Sequence, residues 1–292
     1  MRPLNILAAI LTLLFGAAHA HAAPSLPRFS AVVDGKGPDV ILIPGLASSA
    51  AVWNATAERL KRSHRVHRIQ VAGFAGSPAA GNGEGLVVAP LADALAAYIL
   101  ENKLGRPAVI GHSLGGEAAL MLAARHPGSV GRVMVVDALP FYSLLFNPAA
   151  TPETVRPQAD ALRDLVLSQS DAQAAAAAPA VLARMIKTDA ARPAAIAWSN
   201  ASDRSVVARA MHELVTTDLR GELARIAAPL TVVYAYDPLY GVPAERIDGI
   251  FRSAYQNAGA AKLERVDGSF HFVMLDQPEA FAAAVDRFLA QR

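Results

Sequence analysis

The chain has 292 residues, 53% of them hydrophobic, and a formal net charge of +2 at pH 7. This length suits one large domain or two small ones, and the apolar fraction favours a large core over a mainly disordered chain. Basic and acidic residues nearly balance, and the one basic cluster, at 61–68, is interpreted as a solvated face, so we expect no nucleic acid partner. The absence of cysteine excludes disulfides, thiolate catalysis and cysteine metal sites.

The N-terminus has the pattern of an export signal. Arg2 precedes an apolar run at 4–15, and small residues with Ala-x-Ala spacing follow. The run is too short to span a bilayer comfortably, although a retained membrane anchor is the alternative. We therefore expect residues 1–22 to be a signal peptide and the mature protein to be periplasmic or extracellular, with no stable membrane span. Cleavage stays open among Ala20, Ala22 and Ala23.

Short apolar runs then alternate with helical patterns. Runs rich in Val and Ile predict strands buried on both faces, as in a parallel sheet. These runs lie at 40–43, 66–71, 108–110, 133–136 and 230–236, with a weaker one at 263–266. Helical apolar spacing predicts helices at 49–62, 87–100, 114–125 and 279–289. The alternation predicts an α/β fold with a mostly parallel central sheet flanked by helices.

The alternation breaks between residues 139 and 223, where no strand pattern is found. This stretch includes an alanine-rich segment at 172–183, in which Pro179 is expected to start a new helix. Apolar residues recur at helical spacing around 162–166 and 182–186, which favours packed helices over a low-complexity linker. We predict a helical lid at 139–223 over the carboxyl edge of the sheet, and a core of residues 23–138 and 224–292.

Residues 111–116 read Gly-His-Ser-Leu-Gly-Gly, a G-x-S-x-G pattern between a predicted strand and a predicted helix. In this context the serine lies on a strained turn above the sheet, and the glycines leave space for that turn. We predict Ser113 as the nucleophile. The amide of Leu114, at the helix start, is a predicted oxyanion donor. A tight turn without chemistry is the alternative.

A serine nucleophile needs a base, and the base needs an orienting acid, in the chain order serine, acid, histidine. Of the eight histidines, His271 alone lies downstream of the acid candidates on a loop after a predicted strand. We predict His271 as the base, with a packed aromatic-like role as the alternative.

Two aspartates end predicted strands and are candidates for the acid. Asp137 ends the strand before the lid, and Asp237 ends the strand after it, directly before a proline-containing turn. Such a turn suits a loop carboxylate facing His271, so we predict Asp237 as the acid and keep Asp137 as the alternative. Asp248 and Asp267 are weaker candidates, expected to be solvated.

A second oxyanion donor is expected on the loop after the first predicted strand. That strand ends at Pro44-Gly45, and the amide of Leu46 is the predicted donor. Trp53 follows on the next helix and is expected to pack beneath the loop.

Together these motifs resemble the α/β-hydrolase superfamily, in particular its lid-bearing, esterase-like members. The resemblance covers nearly all of the chain after residue 22. It is carried by Pro44-Gly45 with Trp53, residues 73–77, residues 111–116, residues 218–229 and residues 271–281. Four positions depart from the family pattern: Pro44, Gln70, Ala75 and Phe270 stand where His, Asp, Gly and Gly are usual. These departures concern the shape of the acyl site and the substrate.

The residues predict hydrolysis of a small-molecule carboxylic ester through an acyl-enzyme, with no cofactor or metal. An apolar run at 141–146 begins the lid and favours a substrate with an apolar group. The same residues would serve an amidase or aminopeptidase, a lactonase or a cofactor-free perhydrolase. A non-catalytic binding protein on the same scaffold is the alternative from a different class.

Overall fold

The computed structural model describes residues 26–290, and the predicted signal peptide lies outside them. Seven strands form one sheet in this part of the chain. They are β1 (Phe29–Gly35), β2 (Asp39–Ile43), β3 (Arg65–Val71), β4 (Ala108–His112), β5 (Arg132–Val136), β6 (Leu230–Tyr236) and β7 (Lys262–Asp267). Their order is β1-β3-β2-β4-β5-β6-β7, and only β1 runs antiparallel to its neighbour. The predicted α/β fold with a mostly parallel sheet is confirmed.

Helices cover both faces of the sheet. Those of the core are α1 (Asn54–Leu60), α2 (Val88–Glu101), α3 (Leu114–Arg125), and, after the insertion, α8 (Ala244–Ala254), α9 (Val273–Asp276) and α10 (Pro278–Ala290). Side chains alternate along a strand, so Ile41 and Ile43 of β2 join a core with α2, α3 and α8. Val40 and Leu42 join the opposite core with α1 and α10. The sheet is therefore buried on both faces, as its Val and Ile runs predict.

Trp53 belongs to the second of these cores. It is fully buried, and its ring lies 5.9 Å from that of Phe281 in α10. Its role is packing, as expected.

Four helices lie between β5 and β6. They are α4 (Pro152–Ser168), α5 (Asp171–Ala183), α6 (Arg192–Ala201) and α7 (Arg204–Thr216), with α4 packed on α7 and α5 on α6. We call residues 139–223 the insertion. Leu182 and Ile186 join the second core, whereas Leu162 and Leu165 are largely exposed.

The expectation that Pro179 starts a new helix is wrong. Helix α5 runs through Pro179 without a break. Proline removes the amide that would bond to the carbonyl four residues earlier, at Ala175. Ala175 is exposed, so water can satisfy that carbonyl.

Among residues 26–290, none of the helices combines the length and apolarity needed to cross a bilayer.

Candidate active site

Ser113 lies on the turn between β4 and α3. Its backbone has φ 54° and ψ −122°, a region that non-glycine residues rarely adopt. A Cβ at Gly111 would lie 2.1 Å from the carbonyl oxygen of Gly115, and one at Gly115 would lie 2.5 Å from that of Ile43. The glycines of the G-x-S-x-G pattern are therefore required by the close approach of the turn to its own helix and to β2.

His271 lies on the loop after β7, directly against the residue that precedes the serine. The Nε2–H of His112 donates to the carbonyl of His271 at 3.0 Å, and the two rings lie 4.6 Å apart. On its other side, Nδ1 of His271 lies 2.6 Å from Oδ2 of Asp137. The structure thus brings His271 to the serine turn and pairs it with a carboxylate.

Asp137 is held in place by the neighbouring strand β6. Its amide donates to the carbonyl of Val233 at 2.7 Å, and its Oδ1 accepts from the amide of Ala235 at 2.9 Å. Its φ is 47°, in the left-handed region that Asp tolerates better than most residues. One carboxylate oxygen is therefore fixed by the sheet, and the other is directed at His271.

The prediction that Asp237 pairs with His271 is wrong. The Asp237 carboxylate is 2% exposed and accepts instead from Nζ of Lys187 at 2.5 Å and from the amide of Leu239 at 2.9 Å. Burial raises the pKa of Asp237, but these two hydrogen bonds and the lysine charge outweigh it and hold the pKa below its usual range. Asp237 thus caps a local turn and binds the insertion.

The loop after β2 approaches the serine closely. A Cβ at Gly45 would lie 3.1 Å from Cβ of Ser113 and 2.9 Å from Nδ1 of His112. Within residues 26–290, neither the Leu46 amide nor the Leu114 amide has a protein acceptor. Leu114 begins α3, so its amide is one of the donors that a helix cannot satisfy internally. Both predicted oxyanion donors are thus available to another acceptor.

Two polar side chains that the sequence reasoning gave no role support this loop. Oε1 of Gln70 accepts from the amide of Ala50 at 2.9 Å, and its Nε2 donates to the carbonyl of Phe74 at 3.0 Å. Oγ of Ser202, in the insertion, lies 3.5 Å from the carbonyl oxygen of Ala47 in this loop and accepts from the amide of Ala75 at 2.8 Å. The position of Gln70 as a departure from the family pattern was the only sequence signal for either.

Two buried titratable groups flank the serine turn. Burial lowers the pKa of His112 well below 6.5, and the proximity of His271 adds to this effect. Burial raises the pKa of Glu117 well above 4.5, with a further contribution from Glu213. Neither carboxylate oxygen of Glu117 has a hydrogen-bond partner in the described chain. Both shifts favour the neutral form of the side chain.

Aromatic side chains at the start of the insertion include Tyr142, which lies near enough to Asp137 to feel its charge. Burial raises the pKa of Tyr142, and the Asp137 charge adds to it. The ring of Tyr142 lies 5.7 Å from that of Phe146, which is 74% exposed. Phe141 is fully buried, so only part of the apolar run at 141–146 is available to a substrate.

Across residues 26–290, no group of three or more His, Asp or Glu side chains is arranged to hold a metal ion.

Sequence comparison shows which protein family the chain resembles. The family model described as "Alpha/beta hydrolase family" matches residues 40–284. A pimeloyl-acyl-carrier-protein methyl ester esterase from Yersinia enterocolitica is 24% identical over 263 residues, covering 87% of this chain and 93% of that protein. An esterase of the same name from Aeromonas hydrophila is 34% identical over 108 residues, which span 37% of this chain and only 41% of that relative.

Solved structures share the fold. The enol-lactonase from Burkholderia xenovorans LB400 has a TM-score of 0.73 at 22% identity, covering 90% of this chain and 96% of that one. A thermophilic esterase from Thermogutta terrifontis has a TM-score of 0.72 at 17% identity, covering 89% and 92%. The chain belongs to the α/β hydrolase family and is an enzyme of the hydrolase class.

Proposed function

We propose that this enzyme hydrolyses carboxylic esters with Ser113 as nucleophile, His271 as base and Asp137 as the orienting acid. The observation that carries the proposal is the 2.6 Å contact between Nδ1 of His271 and Oδ2 of Asp137, formed beside the strained turn of Ser113. A carboxylate on Nδ1 keeps the proton there, which leaves Nε2 free to accept a proton.

In the first step, Oγ of Ser113 attacks the ester carbonyl carbon while Nε2 of His271 removes the hydroxyl proton. The imidazolium that forms is stabilised by the Asp137 carboxylate. Collapse of the tetrahedral intermediate breaks the bond to the alcohol, which leaves with the proton from His271. The serine then carries the acyl group as an ester.

The oxyanion of each intermediate is bound by the amides of Leu46 and Leu114. The free state of both amides and the close approach of Gly45 to Ser113 support this role. The Leu114 amide also lies at the N-terminus of α3, where the helix dipole favours negative charge. In the second step, His271 takes a proton from water as the water attacks the acyl-enzyme. The bond between the acyl carbon and Oγ of Ser113 then breaks, the carboxylic acid leaves, and His271 returns the proton to Oγ.

We favour esters over the other substrate classes because two of the sequence relatives are named methyl ester esterases. A lactone is a cyclic ester and needs the same groups, with the leaving alcohol still tethered to the acyl part.

We propose the insertion as a lid over this site. The exposed ring of Phe146, which packs against Tyr142, supports an apolar substrate group.

Substitution of the nucleophile tests the proposal. Ser113→Ala should abolish hydrolysis of a chromogenic short-chain ester and labelling by a fluorophosphonate probe. Ser168→Ala, an exposed serine on α4, is the matched control and should retain both. Retained hydrolysis in Ser113→Ala would refute the assignment. A panel of acyl lengths, lactones and amides would then rank the substrates.

Export is a separate proposal, supported by the basic, apolar and Ala-x-Ala pattern of residues 1–22. N-terminal sequencing of the protein from periplasmic and culture fractions tests it. A chain starting after Ala20, Ala22 or Ala23 is expected. An intact Met1 on a cytosolic protein would contradict it.

A further inference from the structure

The loop that carries His271 is bonded on both sides of the histidine. The amide of Phe272 donates to the carbonyl of Met185, in the insertion, at 3.2 Å. The amide of Phe270 donates to Oδ2 of Asp276 at 2.9 Å. The Ser269–Phe270 peptide before the histidine and the His271–Phe272 peptide after it are therefore both fixed, in addition to the histidine ring.

The Asp276 carboxylate extends this bonding into the insertion. Oδ2 also accepts from the amide of Lys187 at 3.1 Å, and Oδ1 accepts from the amide of Thr188 at 2.9 Å. One side chain thus receives two amides from the insertion and one from the residue directly before His271.

We propose that Asp276 is a positioning residue that makes the alignment of His271 depend on docking of the insertion. When residues 185–188 are docked, Asp276 and the Met185 carbonyl hold the amides of Phe270 and Phe272, on either side of His271. When the segment moves away, both restraints loosen, and the ring loses its alignment with Asp137. This proposal deepens the proposed function and rests on it.

The chemistry of the side chain explains why a carboxylate is suited to this position. Asp276 offers two acceptor oxygens to three converging amides and presents no donor of its own. An asparagine of the same shape keeps one acceptor oxygen and turns an NH₂ group towards at least one amide donor. Asp276→Asn therefore breaks part of the network without leaving a cavity.

A second tie between the insertion and the core provides a matched control. Nζ of Lys187 binds the Asp237 carboxylate at 2.5 Å, and this contact includes no atom of the His271 loop. The double variant Lys187→Met/Asp237→Asn removes both charges of this tie and keeps the Lys187 amide that Asp276 binds. It removes this charge contact alone, because residues 185–188 keep their hydrogen bonds to Asp276 and Phe272.

The experiment compares the variants by proton NMR and by the rate of fluorophosphonate labelling. The proton shared by His271 and Asp137 should resonate far downfield in the wild type, as expected for a short bond. In Asp276→Asn we expect that resonance to shift or broaden, and labelling of Ser113 and kcat to fall by about 10- to 100-fold, with a smaller change in KM. The double variant should keep the resonance and the labelling rate close to wild type.

Thr188→Pro is a second variant, for the case that Asp276→Asn fails to fold. It deletes one amide donor to Asp276, and the φ of Thr188, −73°, lies in the range that proline allows. A smaller loss in the same direction is expected. An unchanged labelling rate in the folded variants, or an equal loss in the double variant, would overturn the proposal. The proton resonance and the labelling rate are measured without an ester, so failure of the wild type to cleave esters would count against the proposed function alone.

Discussion

Asp137 and His271 are 134 residues apart in the chain, and their side chains meet at 2.6 Å between Oδ2 and Nδ1. The contact is built on the sheet, because β6 fixes the other oxygen of Asp137 through the amide of Ala235. Asp237, one strand further along, has the same side chain and faces Lys187. The two aspartates therefore form a natural pair for mutagenesis.

We expect Asp137→Asn to lower kcat by up to about 10⁴-fold, because an amide at this position favours the wrong tautomer of His271. Asp237→Asn should keep most of the activity and lower the free energy of unfolding by on the order of 1 kcal/mol. The cost is modest because its lysine partner is 42% exposed. Ester hydrolysis and urea unfolding measure the two effects. The opposite ranking of the two activities would restore Asp237 as the acid.

Gln70 holds the loop that carries the Leu46 amide. Gln70→Leu removes the acceptor for the Ala50 amide and the donor to the Phe74 carbonyl, while keeping a side chain of similar size. We expect kcat to fall by about tenfold with little change in KM, a part of what losing one oxyanion donor costs. Steady-state kinetics on one ester are sufficient. A change confined to KM would place Gln70 in substrate binding instead.

Glu117 should make the protein less stable as the pH rises. Its pKa is raised in the folded state, so the unfolded chain releases this proton first, from pH 4.5 upwards. Relative to Glu117→Gln, the free energy of unfolding of the wild type should fall by at most about 1.4 kcal/mol per pH unit above pH 4.5. The loss should level off above the raised pKa. Parallel slopes in urea unfolding from pH 4 to pH 9 would contradict this.

His112 should act in the opposite direction, at low pH. Its pKa is lowered in the folded state, so the unfolded chain binds a proton that the folded protein does not, and stability falls as the pH drops below 6.5. His112→Phe should remove this part of the pH dependence. The substitution should also lower the free energy of unfolding by about 1–3 kcal/mol at pH 8, because the His271 carbonyl loses its hydrogen-bond donor. Urea unfolding at pH 5 and pH 8 compares the two proteins.

Local signals in the sequence mark Ser113 and His271, the nucleophile and base that we propose. Ser113 lies in a pattern that a strand and a helix enclose, and His271 is the one histidine on a late loop. The choice between Asp137 and Asp237 has no local signal, since both end strands at the same edge of the sheet. It is decided by Lys187, which lies 50 residues before Asp237 in the insertion, and by the Leu239 amide.

Strand β1 and helix α8 were missed, for different reasons. Strand β1 pairs with one neighbour only, and Val32 and Val33 are nearly half exposed, so it lacks the continuous buried run of the other strands and depends on tertiary contacts. Helix α8 buries Ile247, Phe251 and Ala254 along one face. It is strongly amphipathic, so its spacing was a local signal that the sequence reasoning did not use.

Because β5 pairs with β6, Asp137 and Asp237 lie at the ends of adjacent strands, and each binds a different partner. The Asp137 carboxylate contacts the His271 ring, and the Asp237 carboxylate binds Lys187 of the insertion. Neighbouring strands of one sheet edge therefore carry the two tasks in this chain. The acid that we propose is defined by its place on this edge and by its neighbours there, rather than by its position in the sequence.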